Sequence, residues 1–407
     1  MKRPRSIVLA TVAALAATVA LGGGALRDSH SAGALAAVPA DARAYTALGF
    51  RLQALERETG DPVYLTRSEH ALRRALALAS DDRAATSGLA TLALSSHHFR
   101  EALALGRKML RLSPESAQAY GVIGDAELEL GRYRLAFAAF DTMARLRPGL
   151  SSYARVSYAR ELLGDRGGAI AAMRLALEPA AASREDTAWT RVQLGKLFWS
   201  EGRVGEAAAE YRAALAVLPG HAPALDALAQ IEAARGRAEE AITLERRALE
   251  AMPMPQFAAA LGDLYSSAGK PRLARAQYAR VRALDRRLAA NDTKIDLDVA
   301  LFDVDHGIRL SQALVLARHG RAQRPSIDGD DVLAWALARN GRCAEARAYS
   351  QHALRLGTRD AVKLFHRGMI ERCLGNRGAA RHHLGRALAL NPHFSLLWGP
   401  VARKVLR

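Results

Sequence analysis

AQAYGVIGDAELELGRYRLAFAAFDTMARLRP, residues 117–148, decides the fold of this 407-residue chain, because its pattern recurs almost to the C-terminus. Small Gly124, a break at Gly131, small Ala136, bulky Phe140 and a stop at Pro148 divide it into two amphipathic helices, about 117–130 and about 132–146. Where two antiparallel helices touch, a side chain larger than Ala or Gly would push the axes apart, at a typical cost of about 1–3 kcal/mol. Gly124 and Ala136 therefore mark the contact. Pro148 lacks an N–H and disfavours helix in the residue before it, so it ends the second helix and resets the chain.

Two rulers extend this unit along the sequence. The first is an Ala followed twelve residues later by Pro, seen at Ala136/Pro148 and again at Ala102/Pro114, Ala207/Pro219, Ala241/Pro253, Ala313/Pro325 and Ala380/Pro392. Several of these pairs are offset by 34 residues or close to twice that, the period of stacked helical hairpins. The second is the series of inter-helix glycines Gly131, Gly164, Gly202, Gly236, Gly269, Gly341 and Gly375, which keeps nearly the same step. Small residues, glycine break and terminal proline at this period resemble the tetratricopeptide repeat family over roughly residues 42–392. The resemblance implies an all-α, right-handed superhelical solenoid of about ten antiparallel helix-turn-helix repeats. It implies binding of a protein or peptide, without naming the partner, since one fold serves many systems.

Composition fits. The chain is rich in Ala and Leu, and its net charge of +17 is carried mostly by Arg, with seven Lys in all. Taken alone that charge suggests nucleic acid or an anionic surface. Many arginines, however, follow the inter-helix glycines (Arg132, Arg203, Arg237, Arg342) or precede the proline stops (Arg111, Arg145, Arg147), where a cation favours a helix C-terminus. They read first as a solvated outer surface.

At the N-terminus, Lys2, Arg3 and Arg5 precede an uncharged run, Ser6–Leu26, with an apolar core at 7–21. That is the layout of an export signal. About 20 uncharged residues are also enough to span a bilayer, so residues 1–26 are either a cleaved signal peptide or a signal anchor at 7–26. No cysteine stands here for a lipid anchor. Either way the repeats are expected to be extracytoplasmic, secreted or periplasmic or anchored to the cytoplasmic membrane. Residues 27–41, rich in Ser, Ala and Gly, read as a flexible tether, 42–392 as the repeat array and 393–407 as a C-terminal capping helix.

In solenoids of the resembled family the first helix of each unit lines the concave face. Its outward positions here are Asp125, Glu129, Tyr158, Glu161, Trp189, Lys196, Trp199, Asp226, Gln230, Asp263, Asp298, Phe302, Asp305, Asp331 and Trp335. The set is acidic and aromatic, which suits a basic or mixed peptide segment better than a phosphate backbone, since that needs Lys and Arg on the contact face. The family's carboxylate clamp of Lys, Asn and Arg finds Gly121, Asp125, Asp226, Gln230 and Asp263 at the matching places, so that mode is not expected.

No phosphate loop, G-x-S-x-G, H-E-x-x-H or C-x-x-C occurs. No cofactor is expected, and the chain reads as a non-enzymatic scaffold. The rival is a metal- or solute-handling accessory factor that uses the acidic patch 292–331, with Asp303, Asp305 and His306 as the metal candidates. A third reading is a basic-surface module for anionic lipid or nucleic acid. Cys343 opens the second helix of the penultimate unit and Cys373 ends the first helix of the last, so both thiols sit at one end of neighbouring antiparallel helices. A disulfide and two buried free thiols are the two readings of that pair.

Overall fold

The computed structural model describes residues 41–178 and 183–407. The proposed signal or anchor segment and nearly all of the tether lie outside the described residues. Ten hairpins follow one another. The first four are α1 (Ala42–Thr59) with α2 (Val63–Leu78), α3 (Arg83–Ser95) with α4 (Phe99–Leu112), α5 (Ala117–Glu129) with α6 (Tyr133–Leu146), and α7 (Leu150–Leu162) with α8 (Arg166–Leu177). Three more are α9 (Arg184–Ser200) with α10 (Val204–Val217), α11 (Ala222–Ala234) with α12 (Ala238–Ala251), and α13 (Pro255–Ser267) with α14 (Pro271–Ala290). The last are α15 (Asp296–His306) with α16 (Leu310–Gln323), α17 (Ile327–Arg339) with α18 (Cys343–Ala353), and α19 (Ala361–Cys373) with α20 (Arg377–Leu390). A short α21 (Trp398–Leu406) closes the array. Among the described residues there are no strands.

The hairpins form for the reason their small residues give. A Cβ on Gly124 would lie 2.3 Å from the Phe140 ring, which is itself 1% exposed, so the close approach of α5 and α6 requires glycine. The first helices of the units line the inside, and the most deeply buried of them is α17, where ten of thirteen residues are buried. At the C-terminal end Trp398 of α21 stacks on Phe365, ring centroids 5.3 Å apart, and meets Trp335 edge-on at 5.4 Å. These indoles seal the apolar face of the last unit.

Successive turns of the solenoid touch, and the touching follows a rule. The turn inside unit n docks on the junction before unit n+6. The Lys294 amide donates to the Ser96 carbonyl at 3.1 Å, joining unit 2 to the start of unit 8. The Ile327 amide donates to the Tyr133 hydroxyl at 2.7 Å, joining units 3 and 9. The Thr358 hydroxyl donates to the Leu162 carbonyl at 2.5 Å, and the Asn391 side chain donates to the Trp199 carbonyl at 2.8 Å. Buried between units 3 and 9 lies an ion pair, Glu129 with Arg324, both side chains at most 7% exposed. One superhelical turn therefore takes six units.

The rule separates the inter-helix glycines into two groups. Gly131 has φ +73°, and an added Cβ would lie 2.3 Å from the Pro325 carbonyl oxygen of the next turn. Gly236 has φ +80° and nothing within 4 Å, because unit 6 has no unit 12 to meet. The first needs glycine twice over, the second only for its backbone.

Candidate functional site

Because successive turns touch, the concave face is the wall of a partly open chamber rather than of a simple trough. The chamber has a larger lobe of about 760 Å³ and a smaller one of about 250 Å³. Trp189, Gln193, Lys196, Asp226 and Leu301 line both, so the two are continuous. Of the expected concave residues, Tyr158, Glu161, Trp199, Gln230 and Asp331 line the smaller lobe, and Asp298, Phe302 and Asp305 the larger.

Four expected residues do not reach the chamber. Asp125 is held by the guanidinium fork of Arg155, at 2.6 and 2.9 Å, within the α5–α7 contact. Glu129 is consumed by Arg324 at the seam between turns. Asp263 is 1% exposed and accepts from the Tyr278 hydroxyl at 2.8 Å and from His306 at 3.1 Å. Trp335 is 3% exposed, and its indole N–H donates to Asp305 at 2.8 Å inside the C-terminal core.

The acidic patch at 292–331 disperses in the same way. Asp303 pairs with Arg309 at 2.8 Å, Asp305 accepts from the indoles of Trp335 and Trp398, and His306 turns to Asp263. Both ring nitrogens of His306 face oxygens, the Phe302 carbonyl and an Asp263 carboxyl oxygen, an arrangement that favours the protonated ring. Burial opposes that charge, but Asp263 outweighs it and raises the His306 pKa. Three side chains that were metal candidates thus point to three different partners. Among the described residues no three His, Cys, Asp or Glu converge as a metal set.

The larger lobe is acidic and lined with apolar groups. Glu56, Glu58, Glu185, Asp186, Asp226, Asp285, Asp298 and Asp305 line it, against Arg57, Arg184 and Lys196. Met252, Met254, Phe257 and Phe302 supply the apolar wall. Burial pushes Glu56 and Asp285 up to about 7. Burial likewise raises Asp226, opposed by the nearby Lys196, and lowers Lys196, opposed by Asp226 and Glu161. Behind Asp226 stands Glu245, 1% exposed, and burial with the nearby Asp226 carboxyl pushes its pKa well up. In the smaller lobe Lys363 is held by Asp328 at 2.7 Å and Asp360 at 2.8 Å, which outweigh its burial and raise its pKa.

The residues that sequence reasoning missed share one origin. Met252 and Met254 flank Pro253, a junction read only as a helix stop; they reach the chamber because the Gly60 turn of unit 1 docks there. Asp360 and Lys363 enter the same way, at the start of a unit whose junction meets an earlier turn, and they join Asp328 of the acidic patch already singled out. The one available signal was Asp360 as a helix N-cap, accepting from the Val362 and Lys363 amides. Cys343 and Cys373 are joined in a disulfide, with Cα atoms 6.2 Å apart.

The sequence profile of the tetratricopeptide repeat family matches residues 87–151 and 192–253, the hairpins that carry the most regular spacing. Over these two stretches the chain carries tetratricopeptide repeats. Arrays of this family are protein-interaction modules whose partners are proteins or peptides. No curated protein matches the sequence. Similar solved structures include YrrB, a tetratricopeptide repeat protein with an unusual peptide-binding site, at 23% identity over 45% of this chain and 93% of that one, TM-score 0.30. A tetratricopeptide repeat protein from Parabacteroides merdae matches at 17% identity over 63% and 97%, TM-score 0.36. A human IFIT1 dimer with PPP-AAAA matches at 14% identity over 86% and 83%, TM-score 0.48. What these structures share with the present array is its fold alone.

Proposed function

We propose that this array is a non-enzymatic scaffold that holds a basic or mixed peptide segment of a partner protein in its axial chamber, and that it works outside the cytoplasm. The observation that carries the reading is the larger lobe, where eight carboxylates face three Arg or Lys beside a wall of Met, Phe and Trp side chains. A cationic side chain entering it gains charge complementarity, while its aliphatic stem meets apolar surface. At about 760 Å³ the lobe lies in the range of ligand pockets, about 300–1,000 Å³, so it takes a short segment and not a folded domain.

Trp189 and Trp199 make the test direct, because both indoles border the chamber. Titration of cationic peptides should change their fluorescence, and acidic peptides of equal length should not. Asp298→Lys, at a half-buried chamber position, should weaken capture at least tenfold by reversing a wall charge. Equal binding of acidic and basic peptides, or an unchanged affinity in Asp298→Lys, would refute the reading. The compartment rests on the disulfide, which oxidising surroundings favour, and on the signal-like residues 1–26. Among the described residues no helix is long and apolar enough to cross a membrane. Mass spectrometry of the mature N-terminus tests this part, and an intact Met1 on a cytoplasmic protein would overturn it.

A further inference from the structure

Helix α14 departs from its counterparts. Over its 20 residues only Ala274 and Val281 are buried. Every other outer helix from α2 to α18 lies along the inner helix that follows it, whereas α14 packs on α13 and barely touches α15. The phase break after Asp285 thus leaves one outer helix standing proud of the array.

The exposed face of that helix is cationic and, apart from Arg287, which Asp61 of unit 1 holds at 2.6 Å, its exposed arginines are without compensation. Arg272, Arg275, Arg280 and Arg286 are exposed, and among the described residues none makes an ion pair or a side-chain hydrogen bond. At about 100° per residue they fall within an arc of about 140°, spread along about 21 Å of helix. The single acid of the helix, Asp285, is turned into the chamber. Acids on the neighbouring outer helix α12 are already engaged: Glu239 with Lys270 at 2.5 Å, Glu240 with Arg237 at 3.4 Å, and Glu250 with Arg246 at 3.8 Å. Leu273, 47% exposed, adds an apolar contact beside Arg272.

We infer that the outer face of α14 docks the array on a surface of anionic lipid headgroups. Four guanidiniums on one nearly straight, proud helix match a flat anionic sheet, each contributing roughly a fivefold gain in affinity. Nucleic acid fits less well, because the face carries no aromatic side chain to stack a base and no groove to follow a backbone. The sequence supplies the sheet. In the sequence, residues 7–26 are of a kind that membranes receive, and only fifteen residues, 27–41, separate them from α1; if those read as a flexible tether, its reach of about 20 Å would place the array beside the bilayer. The inference is independent of what the chamber holds.

The test is flotation of the full chain with vesicles of phosphatidylcholine alone and of equal parts phosphatidylcholine and phosphatidylglycerol, at about 0.1 M salt, where exposed charges still act over about 10 Å. Partitioning by the apolar N-terminal segment contributes to both mixtures, so the difference between them is the signal. Wild type should prefer the anionic vesicles. Joint replacement of Arg272, Arg275, Arg280 and Arg286 by Gln should cut that preference several-hundred-fold, about fivefold per arginine, while replacement by Lys should keep most of it. Hydrogen exchange of wild type on the anionic vesicles should slow within residues 271–290. Loss of preference in wild type, its survival in the Gln variant, unslowed exchange at 271–290, or retention by duplex DNA in place of vesicles would each overturn the inference.

Discussion

The seam between turns is the element whose perturbation says most. Glu129 and Arg324 lie 195 residues apart, yet a guanidinium N–H of Arg324 donates to Glu129 at 2.9 Å with both side chains at most 7% exposed. Removing one partner from such a pair strands a buried charge and costs about 3–5 kcal/mol, whereas replacing both by apolar groups of similar volume is often neutral or stabilising. Glu129→Leu and Arg324→Met should each cost that much, and the double variant should recover most of it. Repeat arrays unfold in parts, so a global midpoint dilutes the effect. Amide exchange at Ile327 and Lys294 does not, since those N–H groups find their acceptors across the seam, in Tyr133 and Ser96. At about 1.4 kcal/mol per factor of ten, either single change should accelerate their exchange roughly a hundredfold or more. Exchange within about threefold of wild type in both single variants would mean that the turns are not held together here, and the chamber would fall with them.

Three further outcomes follow from the same geometry. Gly131→Ala should destabilise the array by clearly more than Gly236→Ala, for which the left-handed backbone alone sets a cost of about 1–2 kcal/mol, as measured by urea denaturation. Cys343→Ser should remove about 3–4 kcal/mol of loop-closure stabilisation from the last two units, and a reductant should produce the same shift in Tm in wild type and none in the variant. Glu56 and Asp285 titrate at about 7 in the folded chain and near 4 when unfolded, so the native state holds the extra protons between those values. Stability should therefore fall as pH rises from about 5 to 8, while affinity for a cationic peptide should rise over the same interval as the two carboxyls ionise. Calorimetry at several pH values checks both signs.

The hairpins were legible because their constraint is local. Gly124 against Phe140, a left-handed Gly131 and a stop at Pro148 act within 34 residues, so each leaves a mark at fixed spacing. The disulfide was legible as one of two options, since placing Cys343 and Cys373 at one end of neighbouring helices needs only that local rule. Superhelical closure left no such mark. It depends on the small rotation from each unit to the next, summed over six units, and no residue pair in one repeat encodes the sum. Hence Glu129 reads as an outward carboxylate, when its buried arginine partner, Arg324, comes from the next turn; Asp125 is a local miss, since Arg155 of the next unit holds it. Trp335 reads as a wall residue for a related reason: the indole of Trp398, which covers it, belongs to a segment outside the repeat period.

Closure also explains how a chain of charge +17 carries an acidic interior. An open concave face shares one solvent with the convex face, so exposed charges of opposite sign screen each other within about 10 Å. Where six units complete a turn, carboxylates such as Asp226 and Asp305 lie in a medium of lower permittivity, where burial raises their pKa. Arg57 and Arg184 reach the larger lobe, yet Asp and Glu outnumber them there. On the proposed reading a cationic guest completes the electrostatics of the chamber, and without one the buried acids are retained at a standing cost to stability.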